Sequence, residues 1–315
     1  MSVLAAAIER VRPRALAQRE RKKRPKLRDT WWRHLVGIVA VGFALFPIWF
    51  VASAAFNDDN SVDGTSFLPR NFTLHNFTDI LQNHVQDKSS TGFVDSNFLR
   101  WFGNMVAVAL GTAFFTVVLG ALAAYAFSRF RFRGRRLGML GLLLIQMFPQ
   151  LLLVVAIYLI ILNTSSILPV VHMNSLTTLM LVYLGGAMGV NTWLMKGFFD
   201  TIPSELDESA RVDGATAGQI FWGVVLPLAA PVLAVIGLIS FVTTINEYAI
   251  ASALLSTKDH LTLSVGMRWF IDQQFGQRWG PFAAGSLIAA IPAAALFMSL
   301  QKWMVSGLTQ GSVKG

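Results

Sequence analysis

Six long stretches of mostly apolar residues dominate this chain and restrict what it can fold into. About 20 consecutive apolar residues are enough to cross the hydrocarbon core of a bilayer as a helix. A helix also satisfies its backbone hydrogen bonds internally, as lipid requires. The sequence therefore predicts an all-α membrane protein with six transmembrane helices. The stretches cover about residues 32–56, 101–127, 137–162, 176–199, 224–255 and 281–305.

The composition favours a lipid environment. Only 14% of the residues are charged, whereas soluble domains contain about 25%. The first stretch contains Ala52-Ser53-Ala54, which resembles a signal-peptide cleavage site. The apolar core of a signal peptide is about 7–15 residues long and this run is longer, so we interpret it as a retained anchor. The chain has no cysteine, which excludes disulfides and thiolate metal sites.

The placement of lysine and arginine predicts the orientation, because loops rich in these residues stay in the cytoplasm. Residues 1–33 are basic, and five arginines follow the second stretch: Arg129, Arg131, Arg133, Arg135 and Arg136. Residues 57–99 carry six aspartates but only two basic residues. We therefore expect a multi-pass protein of the cytoplasmic (inner) membrane with both termini cytoplasmic. The predicted parts are a basic segment (1–33), a membrane domain (34–305) and a tail (306–315), with 57–99 outside and the loop 200–223 inside.

The basic amino-terminal segment contains too little apolar surface to fold alone. Two partners fit its charge, anionic lipid headgroups and nucleic acid. An apolar stretch follows it immediately, which favours lipid, so we expect no nucleic-acid partner.

The sequence lacks the patterns that ATP hydrolysis or metal chemistry would need. It contains no GxxxxGK[ST] phosphate loop, and its five histidines are scattered without ligand spacing. No convergent nucleophile or carboxylate pair is evident. We therefore predict that the chain is not an enzyme and binds no cofactor or metal itself, so that ATP and magnesium would belong to a partner.

Residues 200–223 are built like a structured loop rather than a simple connector. Pro203 suits the first turn of a helix, and Ser204 with Asp207 resembles a capping pair. Four residues would share one face of this helix: Ile202, Leu206, Ser209 and Ala210.

A glycine turn should follow that helix. Gly214 would end the helix with positive φ, and Thr216 with Gln219 forms a T-x-x-Q capping box that begins the next helix. A helix of two or three turns is only marginally stable alone. It would gain order either by docking into a groove of a partner or by lying in the lipid headgroups as a connector.

The same loop carries a family resemblance. Its pattern is similar to the motif EAA-x3-G-x9-I-x-LP of permease subunits in binding-protein-dependent ABC importers, with serine for the first alanine and valine for the isoleucine. The matching residues are Glu208, Ser209, Ala210, Gly214, Val224, Leu226 and Pro227. Residues 145–149, 183–186, 212–216 and 307–315 resemble the maltose and maltodextrin branch of this family. The long basic amino-terminal segment departs from the family pattern.

The resemblance implies a type I ABC importer (MetI-like) permease fold in which the loop docks into an ATPase subunit. It implies a second permease of the MalF type, an ATPase dimer of the MalK type and an extracytoplasmic sugar-binding protein. Maltose and maltodextrins are the implied cargo, with trehalose and other oligosaccharides as alternatives. The implied coupling residues are Leu206, Glu208, Ser209, Ala210, Arg211, Asp213, Gly214, Leu226 and Pro227.

The resemblance also gives roles to two other segments. The tail would contact the ATPase through Gln310, Gly311 and Ser312, the alternative being a frayed terminus. Residues 255–280 would contact the binding protein, the alternative being a loop whose aromatic side chains pack at the membrane interface. Those aromatic residues are Trp269, Phe270, Phe275 and Trp279.

Polar residues within the spans are candidates for a translocation path or gate, because such groups usually face protein or water. For Gln146, Gln150 and Asn191, hydrogen bonding between helices is the competing interpretation. For Asn246 and Glu247, path lining and gate packing both fit. A secondary transporter is a further alternative, but it would need no docking helix and would often show inverted repeats.

Overall fold

The computed structural model describes residues 27–57, 68–69, 71–82, 84–86, 93–271 and 278–310. In chain order the helices are α1 (Leu27–Ala55), α2 (His75–Leu81), α3 (Phe98–Arg129), α4 (Arg135–Gln146), α5 (Gln150–Thr164), α6 (Leu176–Phe199), α7 (Ser204–Val212), α8 (Ala217–Ile220), α9 (Leu226–Asn246), α10 (Ala249–Leu254), α11 (Leu263–Gly266), α12 (Arg268–Ile271) and α13 (Trp279–Gln310). A π-helical turn (Phe221–Val225) joins α8 to α9, and a single 3-10 turn (Lys258–His260) precedes α11. Two short strands, β1 (His84–Gln86) and β2 (Phe93–Asp95), pair antiparallel with Val85 opposite Val94.

Five continuous helical segments of the described chain are long and apolar enough to cross a membrane, and a bent helix pair supplies a sixth. The predicted six-span, almost entirely helical fold is therefore confirmed when α4 and α5 count as one span. The continuous segments are Trp31–Ala55, Phe98–Arg129, Leu176–Phe199, Ala217–Asn246 and Trp279–Met304.

The third apolar stretch is not the single helix that residues 137–162 predict. The axes of α4 and α5 differ by 101° across the break between them. Pro149 sits immediately before α5 with φ −59° and ψ 119°. Proline has no N–H for the helix ladder and disfavours helical backbone at the residue before it, so the stretch bends here.

The fifth apolar stretch begins and ends earlier than the predicted range 224–255. Helical backbone starts at Ala217 and passes through the π-helical turn into α9. Pro227 cannot donate the usual i−4 hydrogen bond, and the wider π turn lies just before it. α9 ends at Asn246, because Glu247 is extended (ψ 125°) and a separate short helix follows.

Contacts divide the chain into two units, residues 1–50 and 51–315. The described part of the first unit is the amino-terminal portion of α1, where the Arg33 guanidinium lies 5.4 Å from the ring centre of Trp32. In the second unit, α3 packs against α6 and α9, and α9 packs against α13.

Two buried clusters in the second unit hold its loops in place. One supports residues 255–271 and includes Phe98, Trp101, Leu254, Leu263 and Phe270. The other supports residues 200–223 and includes Phe199, Ile202, Ile220, Phe221 and Ile236. Both loops are thus continuous with the helix packing.

Candidate functional site

The loop of residues 200–223, here called the EAA loop, folds as a helix, a glycine turn and a second helix, as predicted. Pro203 precedes α7 with φ −55° and ψ 132°. Acidic residues Glu205 and Asp207 lie in the first turn of α7, and basic Arg211 lies in its last turn. This charge order complements the helix dipole and stabilises a helix of only nine residues.

The turn after α7 is a Schellman motif. Gly214 has φ +83°, as predicted, and its N–H donates to the Arg211 carbonyl over 3.0 Å. The N–H of Ala215 donates to the Ala210 carbonyl over 2.9 Å, which is the second hydrogen bond of that motif. Apart from Gly214 itself and its two neighbours in the chain, no atom lies within 4 Å of the position that a Cβ at Gly214 would occupy. Glycine is favoured here by its backbone conformation and not by lack of space.

The second helix of the EAA loop begins with the predicted capping box. The Gln219 N–H donates to Thr216 Oγ1 over 3.3 Å, and the Thr216 N–H donates to Gln219 Oε1 over 2.8 Å. The Tyr125 hydroxyl of α3 donates to the Ala217 carbonyl over 3.4 Å. The start of α8 is therefore fixed both locally and by α3.

An ion pair joins α7 to the end of α3, and it corrects the predicted capping pair. The Nε atom of Arg129 lies 2.8 Å from Oδ2 of Asp207. Pro203, and not Ser204, occupies the position before the helix, so Asp207 is directed to α3 instead of capping α7. Sequence reasoning missed this pair because nothing local to α7 indicates a partner in a distant helix.

The Arg129–Asp207 ion pair is shielded from solvent. The two side chains are 10% and 4% exposed, and the Arg129 Nη2 also donates to the Ile202 carbonyl over 3.0 Å. In surroundings of low polarity, removing one partner leaves an uncompensated buried charge. The pair therefore holds the carboxylate face of α7 against α3.

A second polar link lies at the same end of the helices. The Ser128 hydroxyl donates to Asp200 Oδ1 over 2.7 Å, and Lys196 forms an ion pair with the same carboxylate. Burial alone would raise the pKa of the Asp200 carboxyl. The hydrogen bonds from Lys196 and Ser128, with the charges of Lys196 and Arg135, outweigh burial and lower this pKa below its usual value. This link joins α3 to α6.

The predicted apolar face of α7 is wrong in part. Ile202 is buried at 7% exposure, but Leu206 is 41% exposed and Ser209 is also exposed. The buried side chain of α7 is Asp207, with Ala210 half-buried beside it. The ion pair with α3 sets this rotation of the helix, and hydrophobic spacing did not reveal it.

The rotation leaves a mixed surface on α7 and its turn. The exposed residues are Ser204, Glu205, Leu206, Glu208, Ser209, Arg211, Val212, Asp213 and Gly214. Val212 is 88% exposed, so this surface presents an apolar side chain beside charged ones. Leu226 and Pro227 lie within α9, outside this surface.

The tail is described only in part. Gln310 is the last residue of α13, and Gly311 and Ser312 lie outside the described residues, as do residues 1–26 of the basic segment. The predicted contact of the tail with an ATPase stays a prediction.

The polar side chains of the third and fourth spans were predicted either to line a translocation path or to form hydrogen bonds between helices. Gln146 Nε2 donates to the Gly186 carbonyl over 2.5 Å, and a Cβ at Gly189 would lie 2.8 Å from a backbone oxygen of α4. These contacts match hydrogen bonding between helices. Gln150 is exposed at the start of α5, and Asn191 is buried. No group of three or more His, Asp or Glu side chains in the described parts of the chain could hold a metal ion.

Glu247 acts in the structure as the cap of α10. Its carboxylate accepts from the Ile250 N–H (2.8 Å), the Ala251 N–H (3.1 Å) and the Tyr183 hydroxyl (2.5 Å). The neighbouring Asn246 is exposed and donates to a carbonyl of its own helix. This arrangement matches the packing interpretation for Glu247, and a role in the path stays a prediction. Sequence reasoning missed Tyr183 as its partner.

Residues 255–271, here called the clamp segment, pack on the start of α3. The Trp101 Nε1 donates to the Lys258 carbonyl over 2.7 Å, and its ring lies 5.9 Å from that of Trp269. Phe270 is 5% exposed. Trp269 and Phe270 of the clamp segment therefore pack against the protein's own core, and their packing at the membrane interface stays a prediction.

The other two aromatic residues predicted to contact the binding protein, Trp279 and Phe275, give no support for that contact. Trp279 packs edge-to-face on Phe282, with ring centres 5.8 Å apart. Phe275 lies outside the described residues. Contact between this region and a binding protein stays a prediction.

Comparisons with known proteins agree with the geometry. Residues 116–310 match the family described as "Binding-protein-dependent transport system inner membrane component". The galactooligosaccharide permease GanQ of Bacillus subtilis is 36% identical over 89% of this chain and 94% of its own length. The maltose/maltodextrin permease MalG of Vibrio parahaemolyticus is 36% identical over 90% of this chain and 96% of its own. The maltodextrin permease MdxG of Bacillus subtilis is 36% identical over 86% and 91%.

A solved structure shows the same fold. A chain from a bacterial ABC transporter for the import of alginate superposes with a TM-score of 0.67 at 23% sequence identity, covering 87% of this chain and 97% of that one. With the family match over residues 116–310, this chain belongs to the inner-membrane components of binding-protein-dependent transport systems.

Proposed function

We propose that this chain is a permease subunit of an ATP-driven importer that carries maltose, maltodextrins or related oligosaccharides. The names of its relatives support a sugar cargo, and two of the three relatives named above carry maltodextrins. The galactooligosaccharide relative adds other short oligosaccharides to the candidate cargoes, and trehalose stays an alternative from the sequence resemblance. ATP and magnesium would be bound by a separate ATPase dimer, and a second permease would complete the path.

The observation that supports this proposal most strongly is the geometry of the EAA loop. Its inner face is tied to α3 by a buried ion pair, while its outer face presents apolar and charged side chains. A groove on an ATPase subunit would cover Leu206 and Val212 and place a cation near Glu208. Movement of that groove would then pass to α3 through Arg129 and Asp207, which suits rocking of permease halves as rigid bodies.

The test is uptake by proteoliposomes that contain the complete transporter with its binding protein. We expect ATP-dependent uptake of labelled maltose or maltotriose, and weaker uptake of trehalose and galactooligosaccharides. If galactooligosaccharides or trehalose were preferred, the permease role would stand and the cargo would change. Uptake of sugar without ATP, driven by an ion gradient, would instead support a secondary transporter and contradict the proposal.

The tail has its own test in the same preparation. Deletion of residues 309–315 should lower the stimulation of ATPase activity by sugar-loaded binding protein, if the tail reaches the ATPase. Unchanged stimulation would remove that contact and leave the EAA loop as the proposed connection.

A further inference from the structure

A cavity of about 640 Å³ lies between the amino end of α4 and the carboxyl end of α6. The first turns of α4 form one wall, and Trp193 with Lys196 forms the other. Deeper in the span the two helices come close, since a Cβ at Gly189 would lie 2.8 Å from the Leu142 carbonyl oxygen. The cavity is thus a wedge that widens toward the arginine-rich loop.

The wide end of this wedge is positively charged. Arg135, Arg136 and Lys196 are among its lining residues, and no carboxylate is. Lys196 is paired with Asp200 outside the lining, and Arg135 donates to the Ser128 carbonyl over 3.4 Å. Arg136 is exposed and forms no ion pair with any residue that the structure describes. The amino end of α4 adds the positive end of a helix dipole.

The rest of the wedge is apolar. Its α4 wall consists of Leu137, Met139, Leu140 and Leu143. From Arg136 to Leu143 the helix rises about 10 Å, the depth of a headgroup and the first part of an acyl chain. Trp193 lines the opposite wall and is 48% exposed, as expected of tryptophan at a membrane interface.

We propose that this cavity binds an anionic phospholipid, with its phosphate at Arg135 and Arg136 and an acyl chain along the leucines of α4. Basic pockets between transmembrane helices on the cytoplasmic side suit acidic headgroups, and the apolar wall suits a lipid tail. A free phosphate would not need that wall. The site is independent of the sugar carried and of EAA-loop docking, so failure of either leaves it standing.

The first test measures binding of phosphatidylglycerol to the delipidated, fully assembled transporter by native mass spectrometry. Arg136→Gln should weaken binding about fivefold, which corresponds to about 1 kcal/mol. Arg135→Gln with Arg136→Gln should weaken it further. Arg131→Gln with Arg133→Gln removes the same charge from the same loop without touching the cavity lining, and should change binding less than about twofold. Equal losses in the two double variants would overturn the site.

Assembly of each variant is checked by size-exclusion chromatography. If the double variant fails to assemble, Arg136→Gln alone decides the outcome, because its exposed side chain has no carboxylate partner among the described residues.

The second test identifies the occupant. The chain has no cysteine, so Leu140→Cys carrying a benzophenone places the only label of this chain on the cavity wall. In proteoliposomes of phosphatidylglycerol and phosphatidylcholine, the adduct should be phosphatidylglycerol in excess of its share of the lipid. Glycerol phosphate should not compete. An adduct with a protein subunit, or lipid adducts in proportion to the bilayer composition, would contradict the proposal.

Discussion

The EAA loop and the clamp segment are both short helices joined by turns, but different forces hold them. Each rests on a buried hydrophobic cluster, but α7 of the EAA loop is fixed in addition by a buried ion pair and keeps apolar side chains exposed, such as Val212. The clamp segment is fixed by aromatic packing and by donors directed at its backbone. The side chain of Asn104 donates to the carbonyls of Asp259 and Leu261, over 2.9 Å each.

This difference in how the two regions are held suggests different roles for them. A charge pair fixes one face of α7 at two atoms and leaves the other face available to a partner. Packing around Trp101 instead encloses the clamp segment, and Asn174 adds hydrogen bonds to the N–H groups of Ser256 (2.6 Å) and Thr257 (2.8 Å). We therefore expect mutations on the exposed face and turn of the EAA loop to affect coupling, and mutations in the packing around Trp101 or in the buried ion pair of α7 to affect stability.

The largest effect should come from breaking the buried ion pair. Arg129→Ala removes the partner of a carboxylate that is 4% exposed in the intact pair, so it should destabilise the attachment of α7 by about 3–5 kcal/mol and remove most ATP-driven uptake. Thermal stability of the assembled complex and sugar uptake in proteoliposomes measure the two consequences.

The matched control is an ion pair in the other region. Arg100 lies 3.4 Å from Asp259, with side chains 60% and 50% exposed, so Arg100→Ala should cost less than about 1 kcal/mol. Arg129→Leu combined with Asp207→Leu should recover stability, since it leaves no unpaired charge. Similar losses in Arg129→Ala and Arg100→Ala would contradict the contrast between the two regions.

The next effect concerns packing in the clamp segment. A Cβ at Gly266 would lie 2.3 Å from ring atoms of Trp101, which is fully buried. Gly266→Ala should therefore lower stability by about 1–3 kcal/mol through overpacking. Complexes that survive at low temperature should keep a normal ratio of sugar transported to ATP hydrolysed. Wild-type melting of this variant would mean that the close packing on Trp101 is not formed.

A smaller effect is expected at the turn of the EAA loop. Gly214 has open space around it but φ +83°, so Gly214→Ala should cost about 1 kcal/mol or slightly more. The strained turn would misalign α7. We therefore expect a clear loss of sugar uptake with only a small fall in melting temperature. Asn tolerates this backbone region better, so Gly214→Asn should be milder. Normal coupling in Gly214→Val would refute the need for positive φ.

The smallest effect concerns the stability of the protein at low pH. Because the folded-state pKa of Asp200 is lowered, its contribution to stability is present above the unfolded value of about 3.9 and is lost as pH falls through the folded pKa. Asp200→Asn should therefore lose less stability than the wild type as pH falls below about 4, by less than about 1 kcal/mol. Identical acid melting curves for Asp200→Asn and wild type would contradict this.

Features set by neighbouring residues could be predicted from the sequence. The spans follow from apolar length, the capping box from Thr216 and Gln219, and the αL turn from Gly214 at the end of a short helix. Each depends on residues within a few positions of one another, where backbone geometry limits the alternatives.

Features set by distant partners could not be predicted. The rotation of α7 depends on Arg129 in another helix, and the capping role of Glu247 depends partly on Tyr183. The 101° bend at Pro149 had a local signal, but proline predicts an interruption and not its angle. Burial of the aromatic residues in the clamp segment required the position of Trp101.

The central claim is that the exposed face of α7 is seated in an ATPase subunit. Glu208→Cys would be the only cysteine of the chain, and its exposed side chain can carry a photo-crosslinker without disturbing the ion pair on the opposite face. In the assembled transporter it should form an adduct with the ATPase subunit, whereas His260→Cys in the clamp segment should not. Adducts of Glu208→Cys with lipid alone would contradict the account.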